Sequence, residues 1–226
     1  MKSSRVRIWE LDFLRGVAIL LMVIFHFIYD LNAFYQVPIQ YDQGLVYYIG
    51  KAAATLFIII AGISSSLSRS NIKRGIKLLL WGMVITLATA ITVPGSNIIF
   101  GILHFLGASI LLYPLFKRQK PLLLLFEGTV IILAGIALDN ITISNNWLAP
   151  LGLPAEDFVS VDYYPLMPWF GLFLYGVAWG QILYHDKKSL FYFRPRYSLL
   201  STLGKHSLLI YLIHQPVLLL FFYLIF

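Results

Sequence analysis

The chain has 226 residues, of which 59% are hydrophobic and 12% charged, and its mean hydropathy is +0.81. This composition lies outside the range of soluble globular domains and indicates a membrane protein. The absence of cysteine excludes disulfides, thiolate catalysis and cysteine metal sites.

Seven apolar segments are long enough to cross about 30 Å of hydrocarbon. They predict an all-α, polytopic membrane helix bundle of about seven transmembrane helices, built as a single domain over residues 1–226. In chain order, the segments lie near residues 12–33, 45–68, 72–93, 97–116, 121–138, 164–184 and 203–226. Glu10 and Asp12 precede the apolar run of the first segment, and this run is too long for the apolar part of a signal peptide, so we expect this helix to be retained.

Basic residues are distributed unevenly over the loops between these segments. If the N-terminus is cytoplasmic, every Lys and Arg except Lys51 falls on the cytoplasmic side. Because cytoplasmic loops are enriched in positive charge, this pattern predicts a cytoplasmic N-terminus and, with seven helices, a C-terminus outside. The net charge of +7 then follows mainly from topology. It can face the lipid bilayer or an anionic cytoplasmic ligand, and nucleic acid is not expected as a partner.

The first predicted helix carries three ionisable side chains in the stretch RGVAILLMVIFHFIYD. Arg15 and His26 are about three helical turns apart, and Asp30 follows His26 by four residues, so all three lie on nearly the same face. A charge at such depth costs about 3 kcal/mol unless it faces a cavity or a partner, which makes these residues candidates for a functional site. A plainer alternative is that Arg15 snorkels to the inner phosphates and Asp30 is hydrated at the outer edge.

Two further histidines fall inside predicted spans, His104 in FGILHFLGAS and His214 in IYLIHQPV. A single buried histidine is commonly a hydrogen-bonded strut between helices, but three at middle to outer depth indicate a cavity shared with His26. Their spacing matches neither HxH nor HExxH, so no metal site is predicted. General acid–base catalysis suits imidazole groups in such a place better.

The stretch LDFLRGVAILLMVIFH resembles the first helix of the transmembrane acyltransferases, which carries an arginine, ten residues and a histidine; here these are Arg15 and His26. Over essentially the whole chain, FGILHFLG, DYYPLMPW and SLLIYLIHQPV resemble small bacterial relatives of the heparan-alpha-glucosaminide N-acetyltransferase catalytic domain. The resemblance implies an enzyme that moves an acetyl group from cytoplasmic acetyl-CoA across the membrane to a sugar-like acceptor, at an amine or a hydroxyl. We expect a multi-pass protein of a prokaryotic plasma membrane.

This reaction suggests a role for each candidate residue. His26 is the general base, and Asp30 orients its imidazole or stabilises its charge. His104 or His214 either hydrogen-bonds the thioester oxygen as charge develops or positions the acceptor. The phosphates of acetyl-CoA are expected to meet basic residues on the cytoplasmic side, namely Arg15, Arg69, Lys73, Arg74, Lys117 and Arg118. At the outer mouth, Asp162, Tyr163 and Trp169 are expected to contact the acceptor, although aromatic residues there are also typical of the membrane interface.

Two other functions fit the same residues. A proton-coupled transporter or flippase would use Arg15, His26 and Asp30 as a relay, but such proteins usually contain an inverted repeat, and none is evident. A structural or signalling seven-helix protein with a ligand pocket would leave the polar line of the first helix and the basic cytoplasmic loops without a common purpose. The small size is also compatible with a homodimer.

Overall fold

The computed structural model describes residues 7–92, 97–193, 195 and 198–226. These residues form eight α-helices and one short 3₁₀ helix, Ala149–Leu151, and they contain no strand. The helices are α1 (Trp9–Tyr35), α2 (Gly44–Leu67), α3 (Asn71–Thr92), α4 (Ile102–Phe116), α5 (Pro121–Leu138), α6 (Leu166–Leu183), α7 (Leu199–Lys205) and α8 (Ser207–Ile225). The predicted all-α class is confirmed.

Six of these helices are long and apolar enough to cross a membrane, namely α1, α2, α3, α5, α6 and α8. The chain is therefore a multi-pass membrane protein, as the hydropathy pattern predicts. A further predicted span corresponds to α4, which has only 15 residues, or about 22 Å of helix against about 30 Å of hydrocarbon. The predicted end of the third span, at residue 93, lies outside the described residues.

The longest helix is α1, with 27 residues, and its ends explain why it begins and stops where it does. Glu10 and Asp12 lie in the first turn, where carboxylates interact favourably with the helix dipole. At the other end Gln36 has a left-handed φ of 54°, and the Val37 N–H donates to the Leu31 carbonyl oxygen at 3.1 Å. The Gln36 N–H also donates to the Asn32 carbonyl oxygen at 3.1 Å. This bond is that of the αL motif, in which a left-handed residue caps the carbonyl groups of the last turn and ends the helix.

The predicted fourth span, residues 97–116, begins too early. α4 starts at Ile102, whose backbone N–H donates to Asp162 Oδ2 at 3.0 Å. The residues before it are held by the loop ahead of α6, since the Ile99 N–H donates to Ser160 Oγ at 2.9 Å. These bonds engage the backbone outside a helix, so an apolar stretch becomes part of a loop.

The predicted last span, residues 203–226, is divided in two. His206 has non-helical backbone angles (φ −105°, ψ 16°), and its Nδ1–H donates to the Thr202 carbonyl oxygen at 3.0 Å. The imidazole takes the place of a helical N–H at the end of α7, and α8 begins anew at Ser207.

The chain divides into two compact units. The first consists of the residues up to Ile60 and those from Asp186 onward, and contains α1, the first part of α2, α7 and α8. The second, Ala61–His185, contains the rest of α2 and α3 to α6.

In the first unit, α1 packs against α7 and α8. A Cβ atom at Gly16 would overlap the Leu200 carbonyl oxygen, and one at Gly204 would overlap the Asp12 carbonyl oxygen. Glycine at these two positions therefore lets the backbones of α1 and α7 touch.

In the second unit, α3 packs against α4 and α5 against α6. A Cβ atom at Gly107 would lie 2.9 Å from the Gly75 carbonyl oxygen, and one at Gly171 would overlap the Gly128 carbonyl oxygen. Such small residues at helix contacts are typical of membrane bundles, where close backbone approach supplies the packing energy.

Candidate active site

Two of the three predicted histidines meet inside the first unit. His26 on α1 and His214 on α8 have ring centroids 4.8 Å apart. Sequence spacing alone places His26 and Asp30 on one face of α1, and packing of α8 against α1 brings the third group to them. The residues that meet here are separated by almost the whole chain.

The backbone of α8 decides which nitrogen of His214 is available. Nδ1 lies 2.6 Å from the Tyr211 carbonyl oxygen, and a carbonyl oxygen can only accept, so Nδ1 carries a proton. In the neutral ring, Nε2 is then a lone-pair acceptor. Nε2 is buried and has no hydrogen-bond partner among the described residues.

Asp30 pairs with α8 through Gln215. The Asp30 side chain is completely buried, and its Oδ1 accepts a hydrogen bond from Gln215 Nε2 at 2.7 Å. The sequence predicts that Asp30 orients His26, whereas this bond runs to α8. Gln215 is a site residue that sequence reasoning missed, and its signal was its place beside His214 in the HQP triplet.

Three polar atoms beside this bond lack a hydrogen-bond partner among the described residues, and all three are acceptors. They are Asp30 Oδ2, Gln215 Oε1 and His214 Nε2, and each is buried. Buried polar atoms are rarely left unpaired, and each unpaired one costs about 1–3 kcal/mol. We name Asp30, His214 and Gln215 the acceptor cluster. A cluster of open acceptors is complementary to a ligand group that brings hydrogen-bond donors.

Arg15 is held at the other end of α1 by a carboxylate. Its Nη1 donates to Asp12 Oδ1 at 2.7 Å, and the Asp12 side chain also forms an ion pair with Arg7, Nε to Oδ2, at 2.6 Å. Asp12 is 1% exposed, so this carboxylate is buried between two guanidinium groups. Sequence reasoning missed Asp12 as a partner, although its spacing of three residues before Arg15 is the spacing of a helical ion pair.

His104 lies in the second unit, on the first turn of α4. Thr86 Oγ1 donates its one proton to the Ile98 carbonyl oxygen at 2.7 Å, so in its 3.5 Å contact with His104 the imidazole Nε2–H is the donor. The ring also stacks on Phe100, with centroids 6.0 Å apart. These contacts occupy His104 in the packing of α3 and α4.

The three residues predicted at the outer mouth also have partners within the second unit. Asp162 accepts from the backbone at the start of α4, and the Trp169 ring lies 5.0 Å from that of Tyr164. The Tyr163 hydroxyl donates to the Ala149 carbonyl oxygen. Burial raises the pKa of Tyr163 to about 12, so its hydroxyl stays a donor at physiological pH. The three side chains thus hold together the loop that leads into α6.

The basic residues predicted to bind phosphates differ in how freely they are presented. Four of them are exposed: Arg69, Lys73, Lys117 and Arg118. Arg74 is half-buried and donates to Asn71 Oδ1 at 3.1 Å and to the Ser64 carbonyl oxygen. Among the described residues, no group of three or more histidine, cysteine or acidic side chains is placed to hold a metal ion.

A multi-pass helical bundle with a buried polar cluster is the architecture of an enzyme or transporter that works within the membrane. A family model described as heparan-alpha-glucosaminide N-acetyltransferase, catalytic, matches residues 7–216. Since the match covers most of the 226 residues, the chain belongs to this family of transmembrane acetyltransferases, and the resemblance in its motifs is confirmed. No curated protein and no solved structure matches the chain.

Proposed function

We propose that the protein transfers an acetyl group from cytoplasmic acetyl-CoA to an amine or hydroxyl of a sugar-like acceptor on the outer side of the membrane. The observation that supports this most strongly is the acceptor cluster, which lies beside His26 in a chain of an acetyltransferase family. An amine or a hydroxyl brings the donors that the open atoms require.

The two imidazoles act together as the base. The attacking nitrogen or oxygen forms a bond to the thioester carbonyl carbon, the carbon–sulfur bond breaks, and the proton of the attacking group passes through the histidine pair to the thiolate of CoA. From the sequence, His26 is predicted to be the base and His214 a possible hydrogen-bond donor. Because Nδ1–H of neutral His214 is engaged by Tyr211, its open Nε2 fits a proton acceptor, so we assign the base to His26 and His214 jointly.

Asp30 and Gln215 hold the acceptor molecule beside this base. Asp30 Oδ2 and Gln215 Oε1 can each accept from a hydroxyl or an ammonium group. A buried carboxylate whose hydrogen-bond partner among the described side chains is one neutral amide favours a ligand that is rich in donors over one that is anionic.

Acetyl-CoA is an anion and needs positive charge where it binds. The exposed side chains of Arg69, Lys73, Lys117 and Arg118 supply it on the second unit. In the first unit, Arg15 is held in place by Asp12, so we propose that it contributes a fixed positive charge at the cytoplasmic end of α1.

The test is acetyl-CoA turnover by the purified chain in lipid, offered a panel of amino sugars and polyols. We expect acetylated acceptor with the wild type, and a loss with His26→Ala. The matched control is His206→Ala, which removes an exposed imidazole of the same unit and is expected to keep turnover. A wild type that neither binds nor consumes acetyl-CoA would overturn the proposal and favour transport instead.

A further inference from the structure

The segment between α6 and α7 carries basic and aromatic side chains that the proposed acetyl transfer does not require. Lys187 and Lys188 are exposed, and so are the four large apolar side chains of Leu190, Phe191, Tyr192 and Phe193. Tyr192 is fully exposed, at 111%. We name residues 187–193 the basic–aromatic strap.

The strap is fixed to the beginning of α1. Glu10, which is buried, accepts from the Leu190 backbone N–H at 2.8 Å and from Ser189 Oγ at 2.9 Å. The Trp9 ring lies 5.7 Å from the Phe191 ring and 5.6 Å from the Phe193 ring, measured between centroids. The strap therefore has a defined position beside the first turn of α1.

That position is at a membrane surface. With 27 residues, α1 is about 40 Å long, whereas the hydrocarbon core is about 30 Å thick, so its first turn reaches the interfacial region. Aromatic rings favour this region, and lysine side chains extend from it to the headgroups.

We propose that the basic–aromatic strap is a binding site for the anionic phospholipids of that surface. A soluble phosphate compound would engage Lys187 and Lys188 but would leave four large apolar side chains in water. A bilayer interface engages both kinds of side chain, since rings and aliphatic groups enter the acyl boundary while the ammonium groups meet phosphates. The strap contains no acidic residue, so its charge is complementary to an anionic surface. This inference does not depend on the proposed acetyl transfer.

A single label reports on the strap, because the chain contains no cysteine. The full-length Tyr192→Cys variant, labelled with an environment-sensitive fluorophore, is reconstituted in phosphatidylcholine vesicles with and without phosphatidylglycerol. We expect blue-shifted emission and weaker quenching by aqueous iodide with the anionic lipid, and reversal of both in 1 M salt, where charges are screened within about 3 Å.

Charge variants test the part played by the lysines. In the labelled chain, Lys187→Glu with Lys188→Glu is expected to abolish the response to anionic lipid, since each lysine contributes about fivefold to the equilibrium. The matched Lys187→Arg with Lys188→Arg pair keeps the charge and is expected to keep the response. The fluorescence of a label at Tyr48→Cys, an exposed position on α2, is expected to be the same with either pair of lysine substitutions.

Three results would overturn the proposal. The first is a label at position 192 that does not respond to phosphatidylglycerol in a folded chain. The second is an equal response to inorganic phosphate added to phosphatidylcholine vesicles, which would identify a site for soluble anions. The third is an unchanged response in the glutamate pair. Each is independent of whether the chain turns over acetyl-CoA.

Discussion

At the residue scale, His214 shows how one backbone carbonyl can determine the chemistry of a side chain. Tyr211 fixes the proton on Nδ1, which leaves a lone pair on Nε2 of a ring whose centroid lies 4.8 Å from that of His26. The pair is expected to work as one unit.

We predict that His26→Ala and His214→Ala each lower kcat by about 10²–10⁴-fold, the range typical of a positioned acid–base group. Since both substitutions remove the same base, the double variant is expected to lose no more than the worse single variant. Steady-state kinetics of the wild type, the two single variants and the double variant measures these losses as a double-mutant cycle. Losses that multiply would mean that the two imidazoles act independently.

A second prediction at this scale concerns Asp30. Asp30→Asn keeps the size of the side chain but removes a charged acceptor, so we expect KM for the acceptor to rise by about 10–100-fold, as for the loss of a hydrogen bond to a charged group. Asp42→Asn, at an exposed position between α1 and α2, is the matched control. A KM equal to that of the wild type would show that Asp30 does not bind the acceptor.

The sequence predicted part of this site. Helical spacing placed His26 and Asp30 on one face, and the motif singled out His214. Gln215 could not be found in this way, because its bond to Asp30 joins residues 185 positions apart and depends on how α8 is rotated against α1. The expectation that His104 shares a cavity with His26 and His214 stays a prediction, since it rests on depth along the helices alone.

At the scale of elements, the contact of α1 with α7 depends on two glycines. Alanine normally stabilises a helix relative to glycine by about 1 kcal/mol. We predict the reverse for Gly204→Ala, a loss of about 1–3 kcal/mol in the free energy of unfolding, because the new methyl group would overlap the Asp12 carbonyl oxygen. Denaturant unfolding in mild detergent measures it.

The control for this prediction is Leu199→Ala on the same helix, where the leucine is exposed and little change is expected. If Gly204→Ala were as stable as the wild type, the backbones of α1 and α7 could not be in contact. Since Asp12 holds Arg15, we also expect Gly204→Ala to weaken acetyl-CoA binding.

Helix boundaries were predicted well where hydropathy alone decides them. α2 and α5 agree with their predicted spans to within one residue. The predicted start of the fourth span was wrong, and the break of the last span at His206 was not predicted, because each depends on a particular hydrogen bond. One comes from Asp162, sixty residues away, and the other from an imidazole. A hydropathy window averages over both.

At the scale of the whole molecule, the orientation inferred from Lys and Arg is still a prediction. We expect Trp147→Cys, highly exposed in the loop after α5, to react with a membrane-impermeant maleimide added to intact cells. We expect Tyr192→Cys to react only after the cells are permeabilised. The opposite result would place the N-terminus outside, and the basic loops would then not face acetyl-CoA in the cytoplasm.

The open acceptors of Asp30, His214 and Gln215 also bear on how a cycle ends. A neutral primary amine brings two donors to this cluster, but the amide made from it brings one; an alcohol brings one, and its ester none. In the proposed reaction, acetylation therefore reduces the number of hydrogen-bond donors that the molecule offers to these acceptors. We therefore expect the acetylated product to bind more weakly than the substrate, to dissociate readily and to cause little inhibition when it accumulates.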